Sequence, residues 1–464
     1  MITAAQPKPG APSKLHLGGI GSPRAMMSDH SVLRAATSVL AAGAVVKLAS
    51  TGKEFILAGI YGRSDAMDAF LAAFLIPNLL INLIAESMNQ ALIPTLIRVR
   101  IREGQERARQ LLSNSMLSMC GLLVMASLAM AAAARAIFPM IASGFAPAKL
   151  QLAIHLFYGL LPVVLITGIA TNCTAVLNTV DRFALPALAQ LAVPVSIAAG
   201  AVFFHARLGI WALVYATVIG AIVHVVIVAS MMHARGFGFR PAWEGISEPA
   251  REVGRQYGPI LLSSVVASGG LLVDQAMAAM LPAGSVSALV FANRFVSVVV
   301  TLIAGATASA LTPNLSVMAA RRDWAACRRT LRTWSLGMAV LSAPIAGLLI
   351  AGAQPLVRIT LQHGAFGPRD TAIVRTVLAM YAIQIPFYVV SRVHYRFIIA
   401  MRRTDLVLYC GIVNLALDVL LNLVLMRWMG VAGIALATSL WCVATLLFLR
   451  YWAGKLLARE EMRA

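Results

Sequence analysis

A long apolar stretch that carries a polar stripe, residues 68–100, constrains the fold of this chain most. It is long enough to cross a bilayer, and Pro77 and Pro94 predict kinks within it. Four polar residues fall within about 80° of one helical face: Asn78, Asn82, Glu86 and Asn89. A charge at the bilayer centre costs about 2.5–3.5 kcal/mol, so this face must avoid lipid. It is either a hydrogen-bonded seam between helices or a cavity wall, and we favour the wall.

The composition predicts a polytopic membrane protein. Hydrophobic residues make up 60% of the 464 residues, charged residues make up 12%, and the mean hydropathy is +0.82. We count about twelve apolar segments of spanning length, and no gap between them could hold a catalytic domain. The chain is therefore not expected to be an enzyme. Five cysteines without CxxC spacing predict neither a disulfide framework nor a metal site. Residues 1–31 read as a disordered cytoplasmic tail, not as a signal peptide.

The distribution of Lys and Arg predicts the orientation in the membrane. The loops on one predicted side carry 25 of these residues and the loops on the other carry 7. The positive-inside rule then places both termini in the cytoplasm. This asymmetry accounts for the net charge of +20 without a nucleic-acid partner, and it also favours anionic lipid headgroups.

An internal repeat predicts two lobes. ALIPTLIRVR at residues 91–100 recurs as ALTPNLSVMAARR at 310–322, and two further landmarks recur at nearly the same offset. We predict six-helix lobes at 32–233 and 257–455, a linker at 234–256 and a cytoplasmic tail at 456–464. Six helices per half give both halves the same orientation, so the pseudo-twofold axis runs along the membrane normal. This all-α plan is typical of alternating-access transporters.

Charged residues within the apolar segments predict a polar site between the lobes. The deepest cations are Lys47, Lys53 and Arg294, and the carboxylates are: Glu54, Asp68, Glu86, Asp274 and Asp418. Mutual charge pairing inside the bundle is the alternative for any one of them. Together they predict a central cavity with a cationic wall, in which Asp68 and Glu86 position the cations or act in gating.

A second polar group lies on two other segments. Asn414, Asp418 and Asn422 share a helical face at i, i+4 and i+8, and Asp274 lies on the predicted seventh segment. Oxygen ligands on facing helices suit a hard cation such as sodium. We therefore predict a sodium site at Asp274, Asn414 and Asp418. A polar packing seam and a proton site remain the alternatives.

Several stretches resemble the lipid II flippase (MurJ/MviN) family of the multidrug/oligosaccharidyl-lipid/polysaccharide exporter superfamily. They are KLASTGKEFILAGIYGRSDAMDAFLAAFLIPNLLINLIAESMNQALIPTL at 47–96, LNTVDRFALPAL at 177–188, AGSVSALVFANRFV at 283–296 and LQHGAFGPRD at 361–370. The resemblance covers about residues 32–455. It implies a bundle in which a cationic cavity holds the pyrophosphate of an undecaprenyl-linked saccharide.

The resemblance also implies site residues. Lys47 and Lys53 match positions where that family usually has Arg, and Arg294 matches a retained Arg. The predicted substrate site is completed by polar residues of the stripe region: Asp68, Asn78, Asn82 and Glu86. A further family arginine falls at Ile81 or Asn82 in this chain. Some family members bind sodium through an Asp on the seventh helix and an Asn–Asp pair on the eleventh.

These features predict an alternating-access flippase for a lipid II-like or exopolysaccharide precursor in the bacterial inner membrane. We expect a monomer, with no organic cofactor, that works beside glycosyltransferases of peptidoglycan or polysaccharide export. A cation-coupled multidrug antiporter of the same superfamily is the alternative, but cationic drugs call for an acidic cavity. A non-transporting protein of envelope assembly is the other alternative. No GxxxxGK[ST] motif is present, so nucleotide hydrolysis is not the predicted energy source.

Overall fold

The computed structural model describes residues 29–178, 184–234, 245 and 247–462. The predicted tail up to residue 28 lies outside this part, as do Arg182, Arg235 and Arg240 of the loop charges. The described part is helical and contains no strand. Its twelve long helices are α1 Asp29–Tyr61, α2 Asp65–Arg102, α3 Gln105–Ile141, α4 Pro147–Asn178, α5 Leu185–Leu208, α6 Trp211–His233, α7 Glu248–Ala279, α8 Ser285–Ala320, α9 Trp324–Ala351, α10 Pro368–Ala400, α11 Thr404–Met429 and α12 Val431–Glu461.

The predicted all-α membrane fold is confirmed. Within the described residues, the eleven helices α2 to α12 are long and apolar enough to span a membrane. The remaining helix, α1, is 33 residues long and carries Lys47, Lys53 and Glu54 in its second half. A short helix, Ala353–Leu361, joins α9 to the loop before α10.

The repeat appears in the helix boundaries. Helices α2 and α8 begin at Asp65 and Ser285, and α4 and α10 begin at Pro147 and Pro368. Each pair is offset by about 220 residues, as the sequence landmarks predict. Contacts between the halves include two equivalent seams, α1 with α8 and α2 with α7, together with contacts of α3 with α7 and of α2 with α8. In the repeat, α1 corresponds to α7 and α2 corresponds to α8. The contact of α1 with α8 is therefore equivalent to the contact of α7 with α2.

Three predicted boundaries differ from the structure. Helix α1 begins at Asp29, inside the predicted tail 1–31. Helix α7 begins at Glu248, inside the predicted linker 234–256, where Ser247 caps it by accepting a hydrogen bond from the amide of Ala250. Helix α12 continues to Glu461, inside the predicted tail 456–464. Hydropathy identifies only the part of a helix that lies in the membrane. Helices α7 and α12 extend beyond that part by turns that contain charged residues.

Helix α2 contains an irregularity between its two prolines. Residues Ile81–Glu86 form a π-helical segment, and Pro77 and Pro94 lie in the α-helical parts on either side. A π segment accommodates an extra residue per turn, which changes the direction of the side chains that follow, and such segments are frequent at functional sites. The polar stripe is therefore not carried by a regular α-helix.

Candidate functional site

The polar stripe faces open space inside the bundle. Helix α2 is the most buried of the eleven apolar spans, at 61%. Even so, Asn82 and Glu86 of the stripe are exposed and Asn78 is half-buried. Asn89 is the exception at 4% exposure, and its neighbour Gln90 is exposed in its place. Exposed polar groups on a helix enclosed by other helices indicate a water-filled cavity rather than a packed seam. Glu86 makes no ion pair with any residue that the structure describes.

Three charged side chains meet where α1 packs against α8. The Lys53 Nζ lies 2.9 Å from Glu54 Oε1, and Arg294 donates from Nε to the same oxygen at 3.1 Å. Glu54 is 2% exposed, whereas the Arg294 side chain is 36% exposed. The second oxygen of Glu54, Oε2, is buried without a hydrogen-bond partner. One buried carboxylate thus holds two cations from different lobes while the guanidinium still reaches the cavity.

The local charge of this group is positive. Lys47 is half-buried on α1, six residues before Lys53. Lys47, Lys53 and Arg294 carry three positive charges, and Glu54 is the carboxylate among them. The sequence predicts that Asp68 and Glu86 position the cations, but in the structure Lys53 and Arg294 pair with Glu54 instead. Sequence reasoning recorded Glu54 as an intramembrane carboxylate but did not place it in the site.

Asp68 lies at the end of the bundle where α1 turns into α2, which we call the closed end. Its carboxylate is 1% exposed and accepts hydrogen bonds from the amides of Gly284 at 2.7 Å and Ser287 at 2.8 Å. Lys149 contributes an ion pair at 2.9 Å. Asp68 therefore caps the first turn of α8 across the lobe boundary, where a carboxylate is favoured by the helix dipole. It fastens the lobes together and is separate from the three cations.

Backbone contacts complete the closed end. Arg63 donates to the carbonyl of Gly284 at 2.8 Å and pairs with Asp370 at 3.1 Å. The amide of Ala365 donates to the carbonyl of Gly59 at 2.7 Å. Gly364 has φ +60°, and a Cβ there would lie 2.1 Å from the Gly59 carbonyl oxygen. Only a glycine allows this close approach of the two lobes.

The predicted sodium group forms a buried oxygen cluster. Asn422 donates to Asp274 Oδ1 at 2.8 Å and to Asp418 Oδ1 at 3.4 Å, and Thr438 donates to Asp274 Oδ2 at 3.2 Å. Asp418 is 2% exposed and Asn422 is fully buried. Asp418 Oδ2 and Asn422 Oδ1 have no hydrogen-bond partner. Two adjacent buried carboxylates without a basic partner among the described residues require a proton or a cation between them.

Asn414 lies apart from this cluster. Its amide donates to the Cys410 sulfur at 3.6 Å, one turn of α11 away from Asp418. The structure instead adds Asn422 and Thr438 to the two aspartates. Asn422 shares the predicted face of α11 and could have been included from its spacing. Thr438 is an isolated hydroxyl in the apolar helix α12, and nothing in the sequence distinguishes it.

The fold and this site define a class of protein, a two-lobed helical membrane transporter with a positively charged cavity. A family model described as lipid II flippase MurJ matches residues 57–463. The chain belongs to the lipid II flippase MurJ family, which confirms the resemblance seen in the sequence.

Individual relatives agree with this assignment. A probable lipid II flippase MurJ of Buchnera aphidicola subsp. Acyrthosiphon pisum (strain APS) is 22% identical over 417 residues, 88% of this chain and 81% of the relative. A solved lipid II flippase MurJ in an inward closed conformation superposes with a TM-score of 0.76 at 20% identity, covering 90% of this chain and 87% of that one. An inward-facing multidrug resistance MATE family transporter of the MOP superfamily follows with 0.70, at 13% identity and 92% and 99% coverage.

Proposed function

We propose that this protein is a flippase for a lipid-linked saccharide, and that the pyrophosphate of the substrate binds at Lys47, Lys53 and Arg294. The observation that supports this proposal is the positively charged group beside an exposed polar stripe. A pyrophosphate that enters hydrocarbon loses its hydration, and two or three cations with N–H donors replace it. Family membership supports lipid II or a related undecaprenyl-pyrophosphate saccharide as the substrate.

The arrangement of Glu54 suits a transport cycle. In the absence of substrate, its carboxylate balances part of the charge of Lys53 and Arg294. A pyrophosphate would supply further negative charge, so the exposed guanidinium can turn from the protein carboxylate to the substrate. Lys at positions 47 and 53 is a point charge, whereas Arg is a bidentate fork, so binding there is less dependent on geometry. A cationic drug would carry the same sign of charge as this cavity and would be repelled by it, which disfavours a multidrug antiporter.

The closed end gives a direction to the cycle. The Lys and Arg distribution assigns the closed end to the extracytoplasmic side. The substrate headgroup would enter from the cytoplasmic side, and release would require the Asp68 and Arg63 contacts to separate. The protein would act as a monomer in the bacterial inner membrane, beside the glycosyltransferases that use its product.

Charge-removing variants test the pyrophosphate site. Lys53→Ala and Arg294→Ala should abolish flipping of a fluorescent undecaprenyl-pyrophosphate disaccharide in proteoliposomes, with unchanged yield of the folded protein. Arg375→Ala is the matched control, because Arg375 is a cation of α10 that pairs with Gln354 at 2.6 Å on the exposed surface. Full transport by both cavity variants would refute the assignment.

We also propose that the oxygen cluster of Asp274, Asp418, Asn422 and Thr438 binds sodium. Its carboxylate, amide and hydroxyl oxygens are ligands that suit a hard cation. Two of them, Asp418 Oδ2 and Asn422 Oδ1, have no hydrogen-bond partner. A bound sodium ion would supply positive charge between the aspartates and link α7, α11 and α12.

A thermal-shift measurement on the purified protein tests the sodium proposal. Sodium should raise the melting temperature of the wild-type protein over potassium at equal ionic strength, and Asn422→Ala should reduce this effect. Asn414→Ala serves as the matched control, because Asn414 lies one turn away. A melting temperature that responds to pH but not to sodium would show that the aspartates share a proton instead.

A further inference from the structure

A second pocket lies in the C-terminal lobe, away from the cationic group of α1 and α8. Its volume is about 600 Å³, and it is bordered by α7, α10, α11 and α12. Gln90 of α2 closes it on the side of the other lobe, and Ser87 of α2 donates to Ser264 of α7 at 2.8 Å beside it. Gln90 lies one helical turn after Glu86 of the stripe, and both side chains are exposed, so the pocket adjoins the face of α2 that carries the stripe.

Arg392 is the charged residue of this pocket. Its guanidinium carbon lies 4.2 Å from the centre of the Tyr388 ring and 5.3 Å from that of Tyr395. The two tyrosine rings hold the guanidinium group in place, but an aromatic face does not accept the in-plane N–H hydrogen bonds of the guanidinium. Arg392 forms no ion pair among the described residues, and its Nε is buried without an acceptor. The guanidinium is thus held by aromatic rings, with its Nε donor left without an acceptor.

The other lining groups define the chemistry of an occupant. Ser391, Asn414 and Thr445 offer hydroxyl and amide groups, and Trp441 offers an aromatic surface. A guanidinium with neutral hydrogen-bonding neighbours and aromatic walls suits a carboxylate on a polar headgroup, because Arg pairs with carboxylates through two parallel bonds. The buried carboxylates Asp274 and Asp418 both accept hydrogen bonds from Asn422, and neither carboxylate forms an ion pair with Arg392.

The position of Arg392 relates this pocket to the proposed pyrophosphate site. Helices α8 and α10 both begin at the closed end, and Arg294 lies nine residues into α8 while Arg392 lies 24 residues into α10. At 1.5 Å per residue, the difference of 15 residues corresponds to about 22 Å in depth between the two side chains. A headgroup that binds both must extend over at least this depth, with its pyrophosphate near Arg294 and its far end in the pocket.

We propose that this pocket is a second anion subsite, in which Arg392 binds a carboxylate at the distal end of the lipid-linked headgroup. The inference rests on the proposed flippase function, and it adds a requirement on the substrate. The headgroup must carry an acidic group, such as an acidic sugar or a short peptide with a free carboxylate, beyond the sugar that follows the pyrophosphate.

Two synthetic ligands test this subsite on the purified full-length protein. Both are polyprenyl-pyrophosphate disaccharides extended by the same short peptide, which ends in a free carboxylate in one and in a carboxamide in the other. The wild-type protein should bind the free acid at least about 10-fold more tightly, the size expected for a charge-assisted pair. Arg392→Gln should bind both equally, and Arg392→Lys should keep part of the preference.

The outcomes separate this inference from the function on which it rests. Lys53→Ala should weaken both ligands by the same factor and leave the preference intact. Equal binding of the two ligands by the wild-type protein would overturn the subsite while leaving the flippase function standing. Failure to bind either ligand would overturn both. Equally tight binding of the free peptide without lipid would show a site for soluble carboxylates and would also overturn the proposal.

Discussion

Replacing Asp68 by alanine should open the closed end. The substitution leaves Lys149 without a buried partner and removes the acceptor for the amides of Gly284 and Ser287. The Lys149 pair lies within the N-terminal lobe, whereas the two hydrogen bonds from Gly284 and Ser287 cross the lobe boundary and form only when the lobes meet at this end. A hydrogen bond to a charged group contributes about 1.5–3 kcal/mol. A loss of about 3–4 kcal/mol would therefore raise the fraction of open molecules by two to three orders of magnitude.

Thiol labelling in proteoliposomes measures this opening. A cysteine at Ala288, which is fully buried next to the cap, should react slowly with an impermeant maleimide in an otherwise cysteine-free protein. Asp68→Ala should accelerate labelling at least about 100-fold if opening is fast relative to the reaction. A cysteine at the exposed position Ala283 reports the intrinsic reactivity of a thiol at this end.

Asp65 provides the matched control for Asp68. It also pairs with Lys149, at 2.7 Å, but its side chain is 63% exposed and no contact of it crosses to the other lobe in the described structure. An exposed pair contributes at most about 1 kcal/mol, so Asp65→Ala should change labelling less than about fivefold. Similar rates for both variants, or no acceleration by Asp68→Ala, would refute the role of Asp68 as a fastening between the lobes.

Three further predictions concern the loops and the cation group. Gly364→Ala should lower the melting temperature, because its Cβ would meet the Gly59 carbonyl oxygen, whereas Gly367→Ala meets only Asp370 Oδ2 at 3.9 Å and should be tolerated. Glu54→Gln should enlarge the thermal stabilisation by inorganic pyrophosphate, since the anion then supplies the missing negative charge; equal stabilisation in Glu54→Gln and in the control Glu86→Gln would contradict this. Cysteines at Gln105 and Ala325 should resist impermeant thiol reagents added to intact cells, and ready labelling of both would reverse the proposed orientation.

The sequence alone determined the membrane fold, the repeat and the character of the cavity. The length of an apolar segment is enough to predict a membrane-spanning helix. Asn82 and Glu86 share one face of such a helix, which indicates that this face does not contact lipid. The repeat offset of about 220 residues follows from matching landmarks. These properties are local or periodic along the chain, so they can be recognised without knowing which helices touch.

Only the tertiary structure decided how the charged residues are partnered. Glu54 meets Arg294 and Asp68 meets Ser287 because α1 and α2 pack against α8, more than 200 residues away in the chain. The pairing of Asp274 with Thr438 likewise depends on α7 lying beside α12. Sequence identifies which side chains are costly to leave alone in a membrane. The choice of partner depends on helix packing and on local irregularities such as the π segment of α2, which side-chain periodicity does not encode.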